Sequence, residues 1–283
     1  MIKNMNIKIA IKKAVELTKI KRMIPIQHNV DSMEILQDKV AVIIGGSGGI
    51  GLSIAKSFSE SGCKVILCGT NQSKLEMCVE GFQNQKNVHS MIFNVEDMAS
   101  IKANVAAAVG IFGKVDILVN SAGVHTEDVN FFTMTPEEYD RVMNVNIKGP
   151  FFVCQEFSKY MMQNQIGVEK SHILIISSSR GSEPAWSPYG ISKWALNGLI
   201  RGLAQMLLPY GIIVNGISPG ATATELIGIK EDDSIYSTEN GEGRLIMPDE
   251  IANVAKLLVG PAGDMIVGET IHVSGGRGVF DIR

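Results

Sequence analysis

The sequence predicts an α/β fold, a doubly wound, seven-stranded parallel sheet with helices on both faces, in a single domain. Three observations carry this. From Lys39 onward, short β-branched runs alternate with longer segments of helical period. The runs are apolar at nearly every position, as strands covered on both faces must be. A glycine-rich turn joins the first run directly to the first helix.

The first strand is expected over Val40–Ile44, followed by a helix over Ile50–Ser61. Lys64–Cys68, Val88–Phe93 and Val115–Val119 read as the next three strands, with a helix over Ser100–Phe112 before the last of them. One long helix is expected over Pro136–Asn164, then a strand over His172–Ser177 and a helix over Tyr189–Leu208. Ile212–Ile217, a helix at Pro248–Val259 and a strand at Thr270–Val273 complete the pattern. No repeat, low-complexity tract or interdomain linker interrupts it. Glu225–Met247 is too long for an ordinary connection and is expected to be a lid.

Composition narrows the function. With 45% hydrophobic and 19% charged residues, the 283-residue chain can bury a sizeable core. A net charge of −3 offers no overall attraction to nucleic acid or a membrane surface. The charge is uneven. Residues 1–32 hold seven basic and two acidic side chains, whereas the other 251 residues hold 19 basic and 27 acidic. Residues 1–32 are therefore read as a basic N-terminal extension, either a poorly ordered tail or an amphipathic helix with Ile7, Ile11 and Val15 on one face. Residues 33–283 are read as the single folded domain, with Met33 an alternative start. No run approaches the ~18 apolar residues of a membrane span, and residues 1–32 lack the apolar stretch of a secretory signal. The expectation is a cytoplasmic protein. Cys63, Cys68, Cys78 and Cys154 form no C-x-x-C and are expected to be free thiols. The five histidines show no ligand spacing, so no metal is expected.

The turn after the first strand reads Gly45-Gly46-Ser47-Gly48-Gly49-Ile50-Gly51. Glycines there let the backbone approach a pyrophosphate, and the helix N-terminus offers free N–H groups and a favourable dipole. The spacing fits G-x-G-x-x-G, G-x-x-G-x-x-G and G-x-x-x-G-x-G alike, so the loop alone predicts a dinucleotide and not an enzyme.

Five further motifs follow in order: Asn120-Ser121-Ala122-Gly123, Val145-Asn146-Ile147-Lys148-Gly149, Ser177-Ser178-Ser179-Arg180-Gly181, Tyr189-Gly190-Ile191-Ser192-Lys193 and Asn215-Gly216-Ile217-Ser218-Pro219-Gly220. Each is weak alone. In this order and spacing, over Leu36–Val279, they resemble the short-chain dehydrogenase/reductase family in its single-domain branch, with a Rossmann-type fold. Ile44 stands where that family usually has Thr, and Ser121 replaces the second Asn of the usual N-N-A-G.

The resemblance implies an NAD(P)-dependent oxidoreductase that moves hydride between nicotinamide and a carbonyl or alcohol carbon. It selects the G-x-x-x-G-x-G reading, hence Gly45, Gly49 and Gly51, with Ser47 and Ile50 in the same loop. Tyr189 is implied as general acid/base and Lys193 as the group that holds the nicotinamide ribose. The pair is i and i+4 on a helix, and a nearby ammonium is expected to lower the phenol pKa toward neutral pH. Ser178, placed by the S-x-x-G running to Gly181, would polarise the substrate oxygen; Ser177 and Ser179 compete for that role. Asn146 would order a water behind the lysine. Asn94 and Val95 would contact adenine, Asn120, Ala122 and Gly123 would flank the cofactor, and Pro219, Gly220, Thr222 and Thr224 would hold the carboxamide.

Gly69 occupies the place of the acidic residue that bonds an NAD ribose, and Thr70 that of an NADP-type arginine. Donors from Thr70, Asn71, Ser73 and Lys74 favour NADP over NAD. Leu203–Gly211 lacks arginine and the expected lid is acidic, which favours a small carbonyl or alcohol substrate over an acidic carrier protein. His125, Trp186 and Arg180 are further pocket candidates, the last for an anionic group. Homodimers or homotetramers follow from the resemblance, through the helices that begin at Pro136 and Tyr189. The alternatives are a 3-oxoacyl-carrier-protein reductase and, outside catalysis, a nucleotide-binding sensor on the same fold.

Overall fold

The computed structural model describes residues 35–164, 169–228 and 234–280, all within one compact unit, Ser32–Arg283. The basic extension 1–32 and the centre of the expected lid, 229–233, lie outside the described residues.

Seven strands form one parallel sheet: β1 Val40–Ile44, β2 Lys64–Gly69, β3 Val88–Ile92, β4 Ile117–Asn120, β5 Ser171–Ile176, β6 Ile212–Pro219 and β7 Thr270–Val273. Their spatial order is β3-β2-β1-β4-β5-β6-β7. Val42 pairs with Ile66 on one side and Leu118 on the other, so β1 lies between β2 and β4. The order reverses there, and α/β sheets bind ligands in the crevice at such a switch point.

The helices are α1 Gly49–Glu60, α2 Gln72–Glu80, α3 Ile101–Phe112, α4 Pro136–Met143, α5 Gly149–Asn164, α6 Pro188–Leu207 and α7 Pro248–Val259. One core layer joins the sheet to α3, α5 and α6 through Val105, Phe157 and Ile200. The other joins it to α1 and α7 through Ile54, Phe58 and Ile251. This two-sided burial explains the uninterrupted apolar runs; the edge strands β3 and β7 are only partly buried.

The strands and most helices lie within two residues of their expected ends. Two differences matter. α2 has one buried residue, Leu75, and therefore no apolar stripe to betray it in the sequence. The expected single helix Pro136–Asn164 is broken by a π-turn at Asn144–Lys148. Such turns insert one residue into the helical ladder and recur at functional sites. Here the turn carries Asn146, which is fully buried.

Candidate active site

The glycine loop is shaped by its contacts. The Gly45 and Gly46 N–H groups both donate to the Cys68 carbonyl at 2.9 Å. Gly45 has φ of +76°, and a Cβ there would lie 2.7 Å from the Ala122 nitrogen. At Gly51 a Cβ would lie 2.3 Å from the Gly45 oxygen, and at Gly49 it would meet Thr224 at 2.6 Å. The loop after β1 thus packs directly on the loops after β4 and β6, and only glycine fits. α1 starts at the N-cap Gly48 with no side-chain cap and no acidic residue in its first turn. Its leading N–H groups have no intrahelical partner and are suited to an anion.

Ser178, Tyr189 and Lys193 meet at the floor of a cleft of about 580 Å³ that also includes the glycine loop. Ser187 N-caps α6 by accepting the Gly190 N–H at 3.2 Å, which sets the phase that points Tyr189 and Lys193 inward. The Lys193 ammonium donates to the Ile176 carbonyl at 3.2 Å and lies 5.5 Å from the Tyr189 ring centroid. Ser177 and Ser178 differ in their partners. Ser177 donates to Asn197 Oδ1 at 2.7 Å. Ser178 accepts the Arg180 N–H at 3.2 Å and is the hydrogen-bond partner of the Tyr189 hydroxyl.

The electrostatics differ from the sequence expectation. Burial pushes the Tyr189 phenol above its ordinary range; the Ser178 hydrogen bond and the guanidiniums of Arg180 and Arg277 oppose it without overcoming it. Burial also brings the Lys193 ammonium down to about 8. Desolvation penalises the charged form of each member. His125 stacks on Tyr189 with centroids 4.1 Å apart, and burial with nearby Lys193 and Arg180 holds its pKa below the ordinary value.

Asn146 braces the site. Its amide donates to the Val124 carbonyl at 2.9 Å and to Ser192 Oγ at 3.2 Å, and its oxygen accepts the Val124 N–H at 2.8 Å. Both polar atoms are taken by protein groups, so this side chain fixes the loop after β4 against α6. Gly123, in that loop, faces both Asn146 Oδ1 and Lys193 Nζ.

Of the other expected residues, Ile50, Ala122, Gly123, Pro219, Gly220, Thr222 and Thr224 line the same cleft. Ser47 lines a neighbouring depression with Lys56 and Lys74. Thr70 and Asn71 are exposed at the end of β2, and Asn71 Oδ1 is taken as the N-cap of α2. Asn94 Oδ1 accepts the Glu96 N–H at 3.0 Å. The Val95 side chain is turned into the core, against Gly149, which leaves only its backbone for a cofactor. Asn120 is buried with neither amide atom hydrogen-bonded.

A model of the short chain dehydrogenase family matches residues 39–234. The chain belongs to that family. This short-chain dehydrogenase is an oxidoreductase. It is 31% identical over 247 residues to the 3alpha-hydroxysteroid dehydrogenase of Mediterraneibacter gnavus, covering 85% of this chain and 97% of that protein. It is 32% identical over 251 residues to the 3-oxoacyl-[acyl-carrier-protein] reductase of Aquifex aeolicus, covering 86% and 99%. A crystal structure of the 3-ketoacyl-(acyl-carrier-protein) reductase from Brucella melitensis, complexed with NADH, superimposes with a TM-score of 0.78 at 30% identity, covering 86% of this chain and all of that one. The residues of this dehydrogenase fit a dinucleotide: a glycine cradle that a Cβ would fill, an uncapped helix start, and an unpaired buried amide at Asn120.

Sequence reasoning missed Arg277 of this dehydrogenase. It follows β7 in Gly275-Gly276-Arg277-Gly278, whose three glycines all have positive φ, and it lines the cleft beside Arg180 and Trp186. That glycine cluster was the available signal for a turn folded back toward the site.

Proposed function

We propose that this dehydrogenase uses NADP, in preference to NAD, to interconvert a carbonyl and a secondary alcohol on a small molecule. The observation that carries the reading is the meeting of Ser178, Tyr189 and Lys193 at the foot of the glycine-loop cleft. When bound, the nicotinamide supplies or accepts the hydride. Ser178 has one hydroxyl proton and two acceptor sites; with the Arg180 N–H on one, it can still donate to the substrate oxygen. Tyr189 delivers the proton to that oxygen in reduction and removes it in oxidation. Lys193 holds the ribose and stabilises the phenolate as it forms, while Asn146 is a positioning residue for the Gly123 loop. Gly45, Gly49, Gly51 and the α1 N-terminus take the pyrophosphate, and Pro219, Gly220, Thr222 and Thr224 the carboxamide.

The NADP preference is supported by the end of β2. Gly69 presents no carboxylate to repel a 2′-phosphate, and a Cβ there would lie 3.1 Å from Ser47 Oγ. Thr70, Asn71 and Lys74 lie beside it. The protein is read as cytoplasmic, in keeping with its four free thiols. Residues 33–283 are read as sufficient for activity. Phe151, Phe152 and Met162 on α5, with Trp194 and Met206 on α6, are exposed and suited to a helix pairing across a two-fold axis. Light scattering is expected to give a dimer or tetramer; a monomer overturns that part.

Titration with NADP and NAD, followed by a panel of ketones and alcohols read by absorbance of the reduced nicotinamide, tests the function. Tighter NADP binding and turnover of a panel member are expected. Inertness of the whole panel returns weight to a sensor. The Aquifex relative's name makes a 3-oxoacyl thioester the second reading, so one belongs in the panel.

A further inference from the structure

The charges on the cleft wall are unbalanced. Among the described lining residues are the cations Arg180, Lys193 and Arg277, and no carboxylate. Lys193 is accounted for at the floor. The two guanidiniums are not: Arg180 stands two residues after Ser178, and Arg277 is tied to Glu183 in the same segment.

Their partners are Glu183 and Glu239, neither of which lines the cleft. Arg277 Nε donates to Glu183 at 2.8 Å, and Arg180 Nη1 donates to the other oxygen of Glu183 at 2.9 Å. Arg277 Nη1 pairs with Glu239. Glu183 is mostly covered, and it holds both forks in place. Glu239 is half-exposed, on the segment after residue 234. Both guanidiniums also favour the charged form of the Tyr189 phenol, so their field reaches the place where the substrate oxygen would be. The Arg277 guanidinium, largely covered and held by Glu183, suits a carboxylate better than a neutral chain wherever a substrate displaces Glu239 from it.

We propose that the substrate is an oxo acid or its hydroxy acid, whose free carboxylate is anchored by Arg277, with Arg180 assisting, while Ser178 and Tyr189 take its reacting oxygen. This rests on the catalytic reading above. Glu239 then competes with the substrate for Arg277, and Glu183 supports both arginines from behind.

The test measures binding, so it stands apart from turnover. 2-Oxobutanoate, 3-oxobutanoate and 4-oxopentanoate, each with its methyl ester, are titrated calorimetrically into the NADP⁺-loaded and the cofactor-free full chain. At least one acid is expected to bind about 10- to 100-fold tighter than its ester, the scale of a charge-assisted pair. Arg277→Gln is expected to erase that preference and Glu239→Gln to keep or enlarge it. Equal binding of acid and ester, binding of no acid, or equal weakening by Arg277→Gln and Glu239→Gln overturns the proposal. The last outcome would mark Arg277 as a mere tie between segments. Should Arg277→Gln fail to fold, Arg180→Gln decides at an exposed position: a smaller but definite loss of acid preference supports the anchor, and no loss overturns it. Acid binding without hydride transfer would overturn the activity and leave the carboxylate site standing.

Discussion

The two ends of the cleft are built from different materials. At the proposed cofactor end the wall is main chain: one contiguous turn, Gly45–Gly51, packed against the loops at Ala122 and Thr224, with an uncapped helix start. At the proposed substrate end the wall is side chains from distant segments, Ser178, Tyr189 and Arg277 among them, and Arg277 is held by Glu183 and Glu239. A main-chain site recognises what every dinucleotide shares and tolerates no added Cβ. A side-chain site can change specificity by single substitutions while the fold persists.

The sharpest way to separate the two ends is Tyr189→Phe. It is expected to lower kcat about 10²- to 10⁴-fold, the range of a lost general acid/base, while cofactor affinity measured by fluorescence titration stays unchanged. Near wild-type turnover would break the comparison at its substrate end. Gly51→Ala probes the other end. Its Cβ would meet the Gly45 oxygen at 2.3 Å, so the loop must open. Cofactor Kd is expected to rise about 10-fold or more as the anion-binding N–H groups lose their alignment. An unchanged Kd would show that the cradle is not the pyrophosphate site.

Lys193 lies between the ends, and its burial has a pH signature. Its pKa is about 8 in the fold against an ordinary 10.5. Below about pH 8 both states carry the proton and the folded state bears the full desolvation cost. Between about 8 and 10.5 the unfolded chain binds more protons, so this residue's contribution to stability improves as pH rises. The Tyr189 phenol and the Cys154 thiol, the latter pushed up to about 12 by burial, act in the opposite sense at alkaline pH. Their effects cancel in the difference between wild type and Lys193→Met. Urea midpoints are expected to show wild type below the variant at pH 7 and closing on it by pH 10. A gap independent of pH would place Lys193 in a solvated site.

The smallest effect is expected from the charged extension. A chain begun at Met33 should keep kcat/KM within about twofold, as truncation of chain termini commonly allows. A large loss would give residues 1–32 a part in the site.

Much of this was legible in the chain because it follows local period and local sterics. β1 and β7 run where their apolar residues run, and α7 from Pro248 to Val259 as its period says. The i,i+4 spacing of Tyr189 and Lys193 required only that α6 exist. The misses have a common cause. α2 is exposed on most of its surface, so burial wrote no stripe into Gln72–Glu80. The π-turn at Asn144–Lys148 has no local signal of its own, since it positions the Asn146 side chain that bonds Val124, 22 residues away.

By itself the sequence determined the individual strands, the glycine turn and the i,i+4 pairing of Tyr189 with Lys193, since each depends on residues within a few positions of one another. Only the tertiary structure decided how those side chains are charged and what else faces them. Lys193 has a lowered pKa because α6 carries it under β5, with its ammonium on the Ile176 carbonyl, away from water. Arg277 enters the cleft because Glu183, 94 residues earlier, holds it there. Desolvation and long-range ion pairing are properties of packed surfaces, and no periodicity in a chain encodes them.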